Sequence, residues 1–145
     1  MSTGVALRQA RAIRVAWPVS LETLQRLFAG EAAALDGDQS LAALRDILDA
    51  DNPFGDFGAY QGVAEVTPGW ELFRPGPAAN PTLGTAGQRT VSPSLTITIH
   101  IPAEAPQADV DAALERLLAA HPWEVPVIEI SEVLLAVRPG AQPLR

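Results

Sequence analysis

The chain has 145 residues, 48% hydrophobic and 19% charged, enough for one domain with a real core and unlike a disordered segment. Its net charge is −7 and all ten basic residues are arginines scattered from Arg8 to Arg145, so no nucleic-acid partner is expected. The lack of cysteine excludes disulfides, thiolate metal sites and cysteine nucleophiles, and no apolar run approaches the length of a membrane span.

Arg8, Arg11 and Arg14 have no apolar stretch behind them, so residues 1–10 read as a flexible lead-in rather than a secretory signal, and a cytoplasmic protein is expected. Ile13, Val15 and Trp17 alternate with Ala12, Arg14 and Ala16, the period of a half-buried strand closed by Pro18. Ser20 is placed to cap a helix with Leu21, Leu24, Leu27 and Phe28 on one face. Gly30 and Asp36-Gly37-Asp38 interrupt it. A second helix follows, capped by Asp38 or Ser40, with Leu41, Leu44, Ile47 and Leu48 as its apolar stripe.

Asn52-Pro53, Gly55 and Gly58 then make a turn-rich passage. Tyr60–Val66 reads as a strand, Thr67-Pro68-Gly69 as a turn, and Trp70–Arg74 as its hairpin partner. From Pro68 to Gly87 there are four prolines and four glycines, yet Trp70, Leu72, Phe73 and Leu83 lie among them. A flexible linker does not carry that many large apolar side chains, so an ordered crossover is expected.

Leu95, Ile97, Ile99 and Ile101 alternate with Thr96, Thr98 and His100 in the clearest strand of the chain. Asp109 opens a helix whose stripe is Val110, Ala113, Leu114, Leu117 and Leu118, and His121-Pro122 ends it. Val125–Val137 is the last strand, with a bulge predicted near Ser131-Glu132, where the alternation changes face. The whole reads as an α+β sandwich of ferredoxin-like order over residues 11–137, with a protruding hairpin and crossover arm and a flexible tail over 138–145.

Phe73-Arg74-Pro75-Gly76, Ala79-Asn80-Pro81, Gly84, Gly87 and His121-Pro122-Trp123-Glu124, in that order and after Gly58-Ala59-Tyr60, resemble the inserted domain of the Nif-three-like (NGG-one-interacting factor three) family, which also occurs as a stand-alone module. The resemblance covers roughly residues 55–137. It implies similarity to CutA-type and PII-like proteins: a ferredoxin-like fold, assembly into homo-oligomers with a trimer favoured, and a binding or regulatory role. Trp123 stands where that family more often has tyrosine, and Gly30–Asp51 is longer than its single first helix. The family's two-metal site belongs to a larger flanking domain and is not carried over.

Four residues are candidates for binding a small ligand: Arg74, Asn80, His121 and Glu124. Arg74 can clamp a carboxylate or phosphate, or tie the crossover to Glu71 or Glu124, the preferred reading. Asn80-Pro81 initiates a turn first and binds second. His121 and Glu124 form a candidate divalent-metal pair, set against the simpler reading of a rigid helix-to-strand corner. His100, on the face opposite the isoleucines, reads as a sheet-surface or interface residue. Trp70, Phe73 and Trp123 are candidate interface residues.

The acidic cluster Asp36, Asp38, Asp46, Asp49, Asp51 and Asp56 fails the calcium-loop spacing and reads as solvated helix ends. Gly84-Thr85-Ala86-Gly87 lacks the residues of a phosphate loop. No nucleophile motif is present, so no catalytic residue is named. The expectation is an oligomeric, non-catalytic binding or regulatory protein, with a small ligand or divalent metal at subunit clefts or a protein partner. The alternative is an enzyme or enzyme subunit whose hydrolytic or metal-assisted site is completed by His121, Glu124 and Arg74 across subunits.

Overall fold

The structure, a computed structural model, describes residues 4–140, so the reading of 1–3 as lead-in and of 141–145 as tail lies outside the described residues. Four strands form one antiparallel sheet in the order β2-β3-β1-β4. They are β1 (Ala6–Pro18), β2 (Glu65–Phe73), β3 (Thr90–Pro102) and β4 (Ile128–Val137). Between β1 and β2 lie α1 (Leu21–Phe28), α2 (Ala34–Gly37), a 3-10 turn (Gln39–Leu41) and α3 (Ala42–Asp49), and α4 (Gln107–Ala120) joins β3 to β4. This is the ferredoxin-like α+β order expected from the alternation of periods. No helix among the described residues is long and apolar enough to cross a membrane.

The core lies between the sheet and the helices. Register pairs Ile13 with Ile99, Val15 with Ile97 and Trp17 with Leu95, and all six are fully buried. Leu24, Leu41, Leu44, Ile47, Val110, Ala113 and Leu117 close over them from the helices. The predicted stripes are narrower than expected: Leu21, Phe28 and Leu118 are exposed, because each helix offers only its centre line to the sheet. Burying the six strand residues alone contributes on the order of 10 kcal/mol before entropy is set against it.

Three local readings are corrected. Residues 65–73 form one continuous strand, not the end of one strand and the start of a hairpin partner; Pro68 and Gly69 pair with Leu95 and Ser94 inside it. Proline is tolerated there because β2 is an edge strand, where a missing N–H can face outward. β4 pairs with β1 in unbroken register from Ile128 to Val137, so there is no bulge at Ser131-Glu132. Its apolar residues appear on both faces because Ile130 and Leu134 sit at an edge the helices do not cover. β1 also begins at Ala6, inside the segment read as a lead-in.

β3 outruns β1. Its pairing with β1 stops at Ser94, opposite Pro18, whereas β2 follows it as far as Thr90. The pairs Trp70–Pro93, Glu71–Ser92, Leu72–Val91 and Phe73–Thr90 therefore form a two-stranded ribbon past the end of β1. This is the expected arm, built from a strand pair.

The helical insertion is fastened by Asp38. Its carboxylate accepts from the Ser20 amide (3.1 Å), the Thr23 hydroxyl (2.6 Å), the Ser40 amide (2.9 Å) and the Ser40 hydroxyl. Ser20 also caps α1 through the Thr23 amide, as expected. The Ser40 hydroxyl shares its single proton between Asp38 and the Pro18 carbonyl, and the Trp17 indole donates to the Ser40 carbonyl, so the end of β1 is bound to the same knot. Asp38 is thus buried, not a solvated helix end. Burial alone would raise its pKa, but the bonds from Ser40, Thr23 and Ser20 outweigh that and hold it below the ordinary carboxylate value.

Gly55 is required where it stands. Its φ is +69°, and a Cβ there would lie 2.3 Å from the Val63 amide nitrogen. Its own amide donates to the His100 carbonyl (2.8 Å), extending the β2 side of β3 beyond β2.

Candidate functional site

The helix α4 ends at His121, whose amide still reaches the Leu117 carbonyl while its ψ of 132° turns the chain out ahead of Pro122. The imidazole is buried against Trp17, with ring centroids 4.7 Å apart. Nδ1 accepts from the Trp123 amide (3.0 Å), which leaves the proton on Nε2 to be donated to the Ala16 carbonyl. Burial lowers the His121 pKa, against smaller opposing effects of the Ala16 carbonyl and Glu71. Both nitrogens are therefore committed within the chain, and His121 acts as the rigid corner between α4 and β4.

That corner aims Trp123 across the open face of the sheet. Its indole donates to Glu71 Oε1 on β2 (2.9 Å), and its ring meets Phe73 edge to face at 5.6 Å. Glu71 and Phe73 sit two residues apart on one face of β2, as strand alternation requires. Ser92, opposite Glu71, and Ser94 face the same side and are buried at 1% and 5% exposure.

The crossover completes the enclosure. The Gly87 amide closes the loop onto the Pro75 carbonyl (2.8 Å). The Asn80 amide donates to Glu124 Oε1 (3.0 Å), and the Thr82 hydroxyl donates to the Pro122 carbonyl (2.8 Å). Two segments some forty residues apart thus face each other over a cleft of about 270 Å³. Phe73, Pro75, Pro81, Leu83, Trp123 and Val125 give it an apolar lining, while Glu71, Arg74 and Glu124 supply charge.

Of the sequence-predicted residues, Arg74 and Glu124 line this cleft together with Phe73 and Trp123. Asn80 contributes its backbone amide. His121 stands behind the cleft. The expected tie from Arg74 to Glu71 or Glu124 is not made: those carboxylates take the Trp123 indole and the Asn80 amide, and Arg74 has no hydrogen bond or ion pair among the described residues. Phe73 and Trp123 pack on each other within one chain, so of the three interface candidates Trp70 is the one turned outward, at 52% exposure. His100 pairs with Ala12 on the open face and meets Phe57 edge on at 6.0 Å.

Ser92, Ser94 and the bond from Trp123 to Glu71 escaped sequence reasoning, which named Glu71 only as a partner for Arg74. Their signal was present in the strand period, but it becomes readable only once β2 is taken as one strand through Pro68. Among the described residues, no group of three or more His, Asp or Glu side chains is placed to hold a metal ion. With both imidazole nitrogens engaged, His121 and Glu124 do not fit a metal pair within one chain.

No protein-family model matches the chain, and no curated protein matches it. Among solved structures, one described as the crystal structure of a Bacillus cereus protein related to NIF3 aligns with 88% of this chain, with a TM-score of 0.51 and 16% identity. The chain spans 26% of the length of that protein. At that identity the likeness is one of fold: this ferredoxin-like α+β unit is similar to part of a larger NIF3-related protein.

Proposed function

We propose that the protein is an oligomeric, non-catalytic binding or regulatory module of the CutA/PII-like type within the Nif-three-like group. Its small ligand is held in the cleft between the crossover and the 121–125 turn. The single observation that carries this reading is the convergence of Phe73, Arg74, Trp123 and Glu124 on one preformed, mostly apolar cleft. The alternative hydrolytic site needs His121 as a base, and an imidazole bonded through both nitrogens is poorly suited to that role. A divalent metal would need further ligands from a second chain. Isothermal titration of the intact protein with nucleotides, small metabolites and divalent cations tests the reading; absence of heat from all of them would leave only a scaffold role.

Assembly is supported by the ribbon. Trp70, Leu72 and Val91 share one of its faces and are each about half exposed, and β2 and β4 both present open edges. Sedimentation velocity is expected to give a homo-oligomer, a trimer by the CutA/PII-like reading. Trp70→Glu should weaken it by about 2 kcal/mol or more per contact, roughly thirtyfold in Kd. A monomeric wild-type protein at high concentration would contradict this part of the proposal.

A further inference from the structure

The charge in the cleft is specific enough to narrow the ligand class. Glu71 and Glu124 each bind their protein partner through Oε1, and neither second oxygen has a hydrogen bond among the described residues. Arg74 lines the same cleft with no partner of its own. One guanidinium therefore stands with two half-used carboxylates around an apolar, aromatic-walled space. A simple organic anion would meet more negative than positive charge there. A simple amine would leave Arg74 to be desolvated without compensation as the cleft fills.

We propose that the cleft binds a zwitterion: a free α-amino acid with an apolar side chain. Its carboxylate is held by Arg74, in the paired geometry a guanidinium offers. Its ammonium group is held by the free oxygens of Glu71 and Glu124, with the faces of Trp123 and Phe73 adding cation–π attraction. Its side chain lies against Pro81, Leu83 and Val125. The volume of about 270 Å³ lies just below the roughly 300–1,000 Å³ of drug-sized ligand pockets, which suits a single amino acid and is cramped for a nucleotide. This inference rests on the cleft being a ligand site, as proposed above.

Calorimetry on the intact chain with L-leucine, isocaproate (the same carbon skeleton without the amine) and isoamylamine (without the carboxylate) separates the two. Leucine should bind about tenfold or more tightly than either half-ligand, since each lacks one set of charged hydrogen bonds. Arg74→Gln should bring leucine down to the level of isoamylamine. Glu71→Gln combined with Glu124→Gln should bring it down to isocaproate, while leaving an oxygen acceptor for the Trp123 indole and the Asn80 amide. Retention of the Trp123–Phe73 ring NOE in the free variants shows that the cleft keeps its shape, since Glu71→Gln by itself shifts the Trp123 indole N–H resonance. Equal binding of leucine and either half-ligand overturns the zwitterion and leaves the cleft a ligand site. Binding of a nucleotide or divalent cation but none of these three compounds overturns this inference alone. Silence of the cleft toward every compound overturns both.

Discussion

Replacing Asp38 with alanine should destabilise the protein by about 3 kcal/mol or more, a large share of the roughly 5–15 kcal/mol that holds a domain together. The carboxylate accepts from four donor groups at a buried position, in two separate segments, the start of α1 and the turn at Ser40. Hydrogen bonds to a charged group contribute roughly 1.5–3 kcal/mol each, and because these share one acceptor they fail together rather than add. Removing the side chain orphans the Ser20 and Ser40 amides and frees the knot that ties Trp17 to the helical insertion. Asp38→Asn should cost less, since one amide oxygen still accepts, but its NH₂ would face donors. Denaturant unfolding followed by far-ultraviolet circular dichroism measures both. The depressed carboxyl pKa sets the pH dependence: its contribution is complete above about 3.8 and is lost as pH falls through the lower, folded-state value.

His121 governs a different pH range. Its folded pKa lies below the ordinary 6.5 because the ring is buried neutral, so the unfolded chain takes up a proton first as pH falls. Stability attributable to His121 is therefore complete above about 6.5 and declines below it. The decline is at most about 1.4 kcal/mol per pH unit, until the folded-state value is passed. Protonation would also place a hydrogen on Nδ1, where the Trp123 amide now donates, and so loosen the corner that aims the indole. His121→Ala should cost about 2–3 kcal/mol at neutral pH, by orphaning the Ala16 carbonyl and the Trp123 amide, and should flatten the stability profile from pH 6.5 down to the folded-state value. Unfolding free energies of wild type and variant across that range test the sign; a wild-type profile that rises toward acid would contradict the buried neutral imidazole.

The two residues show where the sequence was legible. Alternation over residues 95–101 and the stripe around Val110, Ala113 and Leu117 identify β3 and α4 because period and burial coincide there. The ferredoxin-like order follows once those elements are in place. Pro68-Gly69 misleads because turn chemistry and edge-strand tolerance use the same residues, and only the partner strand decides between them. Asp38 looks like one acid among six, since nothing local announces that Ser20, Thr23 and Ser40 converge on it. The cleft is legible in part: Arg74, Trp123 and Glu124 stand in conspicuous motifs. The bonds that shape it, from Trp123 to Glu71 and from His121 to Ala16, join residues 52 and 105 positions apart, beyond any local pattern.

A ligand received by the enclosure around Trp123 must register on the indole of that residue. The three tryptophans report on three places: Trp17 in the core, Trp70 on the ribbon and Trp123 in the cleft. Following their indole N–H resonances while the intact protein is titrated with apolar amino acids, nucleotides and divalent cations tests whether the cleft is a ligand site. A saturable shift of the Trp123 signal with Trp17 unmoved is expected. A Trp123 signal that stays fixed through the whole series would contradict it.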